Sequence, residues 1–236
     1  MKYESATSLI EEVIRVVPGW TPSDQLLALY ALAVTSSNLP GDIVELGSWC
    51  GRSTVVLAHA VKQTHGRVHA IDLFPEFSDW IQNQDGSYSF GVELSDGRKI
   101  GGYESQTVWE EPFEKAIRPV YDQFGSVRAA FDQALERFEV ADVVRVYRSD
   151  STAISRIDDL SIRLAFIDGD HSFDAVCADI RQVLPHLRVG GWISFDDAFS
   201  VYDGVDAAIR ELIVASERFS PKFQISRKFF AARRCA

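Results

Sequence analysis

The stretch Ile43-Val44-Glu45-Leu46-Gly47-Ser48-Trp49-Cys50-Gly51-Arg52-Ser53-Thr54 admits few folds. A short apolar run carries an acid near its end, a loop with two glycines follows, and an apolar helical pattern opens at Thr54-Val55-Val56-Leu57-Ala58. That order predicts a buried strand turning tightly into a helix. Gly47 and Gly51 have no Cβ, which lets a ligand lie against the loop backbone. Unpaired N–H groups at the helix start can bind an anionic group, and Glu45 can receive a donor or a positive charge. The spacing is G-x-x-x-G, not the G-x-G-x-x-G of a dinucleotide fingerprint, and glycine turns also serve packing alone, so ligand binding and packing both stay open here.

The rest of the chain repeats this strand-then-helix alternation. Ser8 to Val17 reads as an amphipathic helix ended by Pro18-Gly19, and Ser23 is the expected N-cap of a second helix running to about Ser36. Further strands are expected at Arg67–Asp72, Val143–Tyr147, Leu164–Asp168 and Trp192–Phe195, the last entered through a Gly190-Gly191 turn. Helices are expected at Val127–Phe138, at Phe173–Leu187 with His186 and Arg188 at its basic end, and at Val205–Ala215. Lys222–Ile225 and Lys228–Ala231 read as a late antiparallel pair. The pattern predicts an α/β, Rossmann-like doubly wound domain: a mostly parallel sheet, an antiparallel C-terminal edge and helices on both faces.

One domain over 1–236 is expected, with N-terminal helices over 1–40 and an insertion over 74–126. The insertion is rich in aromatics and turn pairs; Tyr88–Leu94 and Arg98–Tyr103 around Ser95-Asp96-Gly97 predict a hairpin. Rising from the carboxyl edge of the sheet, it suits either a substrate lid or an oligomer contact. A net charge of −10 with no basic stripe argues against a nucleic-acid partner. No apolar run is long enough to span a bilayer and the N-terminus is not a signal peptide, so a cytoplasmic protein is expected. Cys50, Cys177 and Cys235 show no metal-like or disulfide-like spacing.

Acids mark the ends of the expected strands: Glu45, Asp72, Asp168 and the pair Asp196-Asp197, with Asp150 following the remaining one. In a parallel sheet those ends share one edge. Asp72 lies 25 residues beyond Gly47, near the offset at which a carboxylate accepts both hydroxyls of a ribose; its bland role is to cap the strand–turn junction. If the fourth and fifth strands are neighbours, Asp168, Asp196 and Asp197 crowd together and raise one another's pKa unless a cation sits among them. An all-oxygen set suits Mg²⁺, Ca²⁺ or Mn²⁺. Adjacent strand residues face opposite ways, so Asp196 and Asp197 can both serve only if the strand ends there. His171, beside these acids, is a candidate general base, or else a loop hydrogen-bonding residue.

These residues resemble the class I S-adenosylmethionine-dependent methyltransferases, most closely methyltransferase family 24 and its small-molecule O-methyltransferases. The resemblance rests on Val44 through Thr54, Ala70-Ile71-Asp72, Phe166-Ile167-Asp168-Gly169-Asp170-His171-Ser172-Phe173, Pro185 through Gly190-Gly191 to Asp196-Asp197, and Tyr202-Asp203-Gly204-Val205. It implies that Glu45, Gly47, Ser48, Trp49, Gly51 and Ser53 hold the methionine end of S-adenosyl-L-methionine. Asp72 and Leu73 would then lie at the ribose, Asp150 and Ser151 beside the adenine, and Asp168 at the cofactor as well as in the catalytic pair with His171. It also implies magnesium on Asp168, Asp196 and Asp197. Asp197 departs from the asparagine found at that position in related metal enzymes, and many family 24 members carry His-Asp where this chain has Asp196-Asp197. The expected activity is O-methylation of a small-molecule hydroxyl, possible with or without a divalent metal, by a chain that can be a homo-oligomer. A nucleotide-cofactor oxidoreductase and a catalytically silent cofactor-binding or assembly module are the rival readings.

Overall fold

In the computed structural model, which describes residues 5–101 and 107–236, α1 (Ala6–Val16) begins on a capping box between Ser5 and Ser8. Helix α2 (Ser23–Thr35) departs from expectation at its start: Ser23 is the first helical residue, and Pro22 takes the cap position without a side-chain bond. Strand β1 (Asp42–Leu46), helix α3 (Arg52–Gln63) and strand β2 (Val68–Asp72) follow as expected.

The insertion builds a small sheet of its own from β3 (Trp80–Gln82), β4 (Tyr88–Glu93), β5 (Lys99–Gly101) and β6 (Thr107–Val108). Strands β4 and β5 form the expected hairpin, with Val92 opposite Ile100; the Tyr103 end of that expectation lies outside the described residues. Helix α4 (Glu110–Pro112), a π-helical turn (Phe113–Ile117) and α5 (Arg118–Phe124) close the insertion. Aromatic packing holds it together: Tyr88 stacks on Phe113 at 3.8 Å, and Trp80 donates its indole N–H to the Tyr121 hydroxyl at 2.8 Å.

Helix α6 (Val127–Arg137) leads to β7 (Val144–Arg148), a 3₁₀ turn (Ser151–Arg156), β8 (Ile162–Ile167), α7 (Phe173–Val183) and β9 (Leu187–Phe195). Two expectations change here. Helix α7 stops at Val183, so His186 and Arg188 do not cap it; His186 instead contacts the Leu160 carbonyl at 3.3 Å and Arg188 lies in β9. Gly190 and Gly191 sit inside β9 rather than in a turn before it, at a register shift against β8. Helix α8 (Asp203–Ile209) passes into a π-helical turn (Arg210–Val214), and β10 (Phe219–Ile225) and β11 (Phe229–Arg234) complete the chain.

The main sheet has the order β10-β11-β9-β8-β1-β2-β7. Pairings among β9, β8, β1, β2 and β7 are all parallel, and β11 enters antiparallel between β9 and β10. Side chains alternate between two apolar layers. Ile43, Leu164 and Phe166 face α1, α2, α3 and α6, whereas Val44, Ala165 and Ile167 face α7 and α8. Burial on both faces is why Leu164 to Ile167 reads as an unbroken apolar run.

Candidate active site

Parallel pairing brings the strand ends to one rim. The ladder continues past each end: Gly47 N–H donates to Ile71 O at 2.9 Å, Asp168 N–H to Leu46 O at 2.8 Å, Asp196 N–H to Ile167 O at 3.1 Å and Ser149 N–H to Asp72 O at 3.0 Å. Glu45, Asp72, Asp150, Asp168, Asp196 and Asp197 therefore share one edge, as expected.

Glu45 is fully buried. The hydroxyls of Ser48, at 2.7 Å, and Thr54 donate to its Oε2, while Oε1 is a buried oxygen with no hydrogen-bond partner among the described residues. Burial pushes its pKa up against the hydroxyls of Ser53, Thr54 and Ser48. An orphaned buried acceptor has a desolvation cost that a donor or a protonated carboxyl removes. Gly47 and Gly51 both take left-handed φ, +86° and +87°. A Cβ on Gly47 would lie 2.0 Å from Asp168 O, and one on Gly51 would lie 3.0 Å from the Phe131 ring. The glycines are thus required by protein packing: the space a Cβ would take is filled by the chain itself, not left for a ligand. The loop's own N–H groups are engaged as well: Gly47 donates to Ile71 O, Trp49 to Asp72 Oδ2 and Gly51 to Ser48 O.

Asp72 does cap the junction. Its Oδ2 accepts from Trp49 N–H at 2.8 Å and its Oδ1 from Phe74 N–H at 2.6 Å, which holds the glycine loop against the end of β2. The Ser48 N–H is a third backbone donor to this carboxylate, whose pKa burial pushes up. Leu73 follows on the rim, and its carbonyl accepts from the Arg148 guanidinium at 3.2 Å. At β7, Asp150 caps the 3₁₀ turn and is held by Arg98 at the base of the β4–β5 hairpin loop, Nη1 to Oδ2 at 2.5 Å and Nη2 to Oδ1 at 3.2 Å. Ser151 is buried and hydrogen-bonded to Asp179 of α7, whose carboxyl burial pushes up to about 7.

Asp168, Asp196 and Asp197 converge, each with a carboxylate oxygen within 4.8 Å of the others'. Strand β9 ends at Phe195 and Asp197 takes φ +54°, so the alternation that would separate the two neighbours is broken there. Burial, then the charges of Asp196 and Asp197, raise the Asp168 pKa well above the carboxylate range. Burial also favours protonation of Asp197, but hydrogen bonds from His171 and Lys228 outweigh it and hold that carboxyl low. His171 Nε2 lies 3.0 Å from Asp197 Oδ2, and its ring stacks on Tyr202 at 3.9 Å. An ionised Asp197 can only accept, so Nε2 carries the proton and Nδ1 is left with the basic lone pair. The Lys228 ammonium donates to Asp197 Oδ1 at 2.8 Å and Asp196 Oδ2 at 3.2 Å.

A cavity of about 460 Å³ opens between α1, α5 and α6, lined by Val17, Arg52, Phe124 and Gln133. A separate, tight crevice is lined by Asp168, Asp170, His171 and Asp196. Three acids and a histidine line this crevice, whereas the larger space is lined by arginines, glutamines and apolar side chains.

A family model described as "Methyltransferase domain" (Methyltransf_24) matches residues 44–198, from β1 to just beyond β9. The chain belongs to methyltransferase family 24. Solved structures agree on the fold. The O-methyltransferase NovP is 14% identical with a TM-score of 0.64, over 98% of this chain and 100% of that one. An O-methyltransferase from Bacillus cereus in complex with SAH is 17% identical with a TM-score of 0.57, over 99% and 93%. TomG from Streptomyces achromogenes, in complex with SAM, is 15% identical with a TM-score of 0.56, over 100% and 92%.

Three residues of this methyltransferase domain escaped the sequence reading: Lys228, Arg98 and Asp179. Lys228 and Arg98 come from hairpins whose register brings them to the rim, and Asp179 from the inner face of α7. No motif marks them, because their positions depend on which strands pair.

Proposed function

We propose that this chain transfers the methyl group of S-adenosylmethionine to a hydroxyl of a small molecule. The observation that carries the reading is the gathering of Glu45, Asp72, Asp168, Asp197 and His171 on one rim of a family 24 domain. In it, the loop Gly47–Ser53 and Glu45 receive the methionine end, Asp72 and Leu73 the ribose, and Asp150 with Ser151 the adenine. The orphaned Glu45 Oε1 supports this, being an acceptor that a cofactor donor or an ordered water would satisfy. The reaction is an in-line displacement, so the protein has to align oxygen, methyl carbon and sulfur. It must also take the hydroxyl proton. His171 Nδ1 is the base, with Asp197 orienting the ring and stabilising the imidazolium, and Tyr202 packing its face.

The donor set Asp168, Asp196 and Asp197 matches a magnesium ion in ligand type and spread, but the Lys228 ammonium already holds two of the three carboxylates. When bound there, such an ion supplies a Lewis acid that lowers the acceptor hydroxyl's pKa. His171 needs no metal for its part. The Arg98–Asp150 contact favours a lid over an oligomer contact as the role of the insertion, because it ties the hairpin to the adenine end. Three cysteines without a disulfide are in keeping with a reducing, cytoplasmic setting. Among the described residues no helix is long and apolar enough to cross a membrane.

The test is calorimetric titration with S-adenosylhomocysteine and with NADH, followed by transfer from methyl-labelled S-adenosylmethionine to a panel of phenols, sugars and other hydroxyls. Binding of the first ligand alone, lost in Asp72→Ala, together with label on an oxygen, is expected. Binding of NADH instead, or cofactor affinity with no transfer to any hydroxyl, would overturn the reading in favour of an oxidoreductase or a silent module.

A further inference from the structure

Three crowded carboxylates call for a cation, and the chain brings one of its own. Strand β11 runs antiparallel beside β9 with Phe230 opposite Phe195 and Ala231 opposite Ser194. Extending that register past the strand ends sets Lys228 opposite Asp197, and Ala198 N–H pins it there by donating to the Lys228 carbonyl at 2.9 Å. The ammonium then spends two of its three donors on Asp197 Oδ1 and Asp196 Oδ2, at 2.8 and 3.2 Å. The Asp196 side chain is only 4% exposed and that of Asp197 15%, so these contacts are made where water screens them little. A divalent ion bridging the three aspartates would have to approach the same carboxylates, and two cations so close repel strongly.

We infer that Lys228 is the resident counter-cation of the Asp168–Asp196–Asp197 cluster, holding Asp196 and Asp197 in place of a divalent metal. Lys228 is also a positioning residue: it holds Asp197, and the other oxygen of Asp197 holds His171 Nε2. Its consequence for catalysis rests on the methyl-transfer reading; the occupancy itself does not. The chain therefore has no need of an added metal to balance these charges.

Mn²⁺ titration followed by the electron paramagnetic resonance of the free ion tests this without any methyl acceptor. Wild type and Lys228→Arg are expected to leave Mn²⁺ free into the millimolar range. Lys228→Met is expected to take up one ion with affinity raised at least about tenfold, and to lose it when Asp196→Asn is added. Uptake by wild type that Asp196→Asn abolishes overturns the inference, as does a folded Lys228→Met that binds no tighter than wild type. Should Lys228→Met not fold, wild type against Asp196→Asn decides by itself. A failure of the methyl-transfer reading would show as lost S-adenosylhomocysteine binding and leave these titrations unaffected.

Discussion

The ring of His171, the base we propose, is set by two neighbours distant in sequence. Asp197 fixes which nitrogen is protonated, and Tyr202 restrains the plane of the ring. Replacing His171 with Ala is expected to lower kcat by roughly 10²- to 10⁴-fold, the usual span for a lost general base. Affinity for S-adenosylhomocysteine should stay unchanged, as read by initial rates and calorimetry on the same preparation. Asp179 gives a second test. Its pKa is raised from 3.8 to about 7 by burial, so between those values the folded chain holds a proton that the unfolded chain has released. The associated stability is fully present below pH 4 or so and is lost as pH rises through about 7. Discounted for its partial exposure, the loss is about 1–2 kcal/mol. Asp179→Asn should therefore lose less stability than wild type between those pH values, measured as denaturation midpoints across a pH series. At Gly47 the constraint is steric. A methyl group 2.0 Å from Asp168 O cannot be accommodated without moving β1 or β8. Gly47→Ala is expected to cost about 3 kcal/mol or more in urea denaturation.

At the scale of elements, the insertion builds a small sheet tied to the end of β7 by ion pairs, among them Arg98 to Asp150 and, at 3.9 Å, Arg148 to Asp79. Arg98 makes a forked contact to Asp150 and a third bond to the Thr152 hydroxyl at 3.1 Å. Arg156 adds a longer contact to Asp96 in the same loop, at 3.6 Å. Both arginines are partly exposed, so Arg98→Ala should cost little global stability. Locally the effect is expected to be larger: faster amide exchange across β4 and β5 with little change in β1 and β8, read by hydrogen–deuterium exchange. Unchanged exchange in the hairpin would remove the case for a latch at this point. The hairpin itself was legible because Asp96-Gly97 and the flanking alternation are local signals. Its landing place on Asp150 was not, because it depends on how the small sheet leans over β7.

Across the whole molecule, one buried cation joins elements from three parts of the chain. Arg163 in β8 has no exposed surface. It donates to Ala33 O at 2.5 Å and Ser36 Oγ at 2.9 Å at the end of α2, to Gly41 O at 3.2 Å before β1, and to His65 O at 3.1 Å after α3. Arg163→Met would take all of these donors away at once, with only Ala33 O keeping the Ser36 hydroxyl as a partner. We expect a loss of about 3 kcal/mol, or roughly 6–12 °C in Tm for a chain of this size by thermal scan. Periodicity located the strands and helices of the main sheet to within a few residues, because β1, β2 and β8 are buried on both faces and α1, α6 and α7 on one. It misjudged Gly190-Gly191, since a glycine pair inside a bulged strand looks the same locally as a turn. It also ran α7 on to Leu187, where the helix stops at Val183.

Parallel alternation alone was enough to put Glu45, Asp72, Asp168, Asp196 and Asp197 on a common edge, since strands joined through crossover helices run parallel and end on the same side of the sheet. Pairing with β11 and packing beneath the loops decided the rest: that Lys228 stands among the aspartates, that Arg98 closes on Asp150, and that the two glycines fit against Asp168 and Phe131. Those contacts join residues distant in the chain, and their distances follow from strand register and helix packing, which no local pattern of residues encodes.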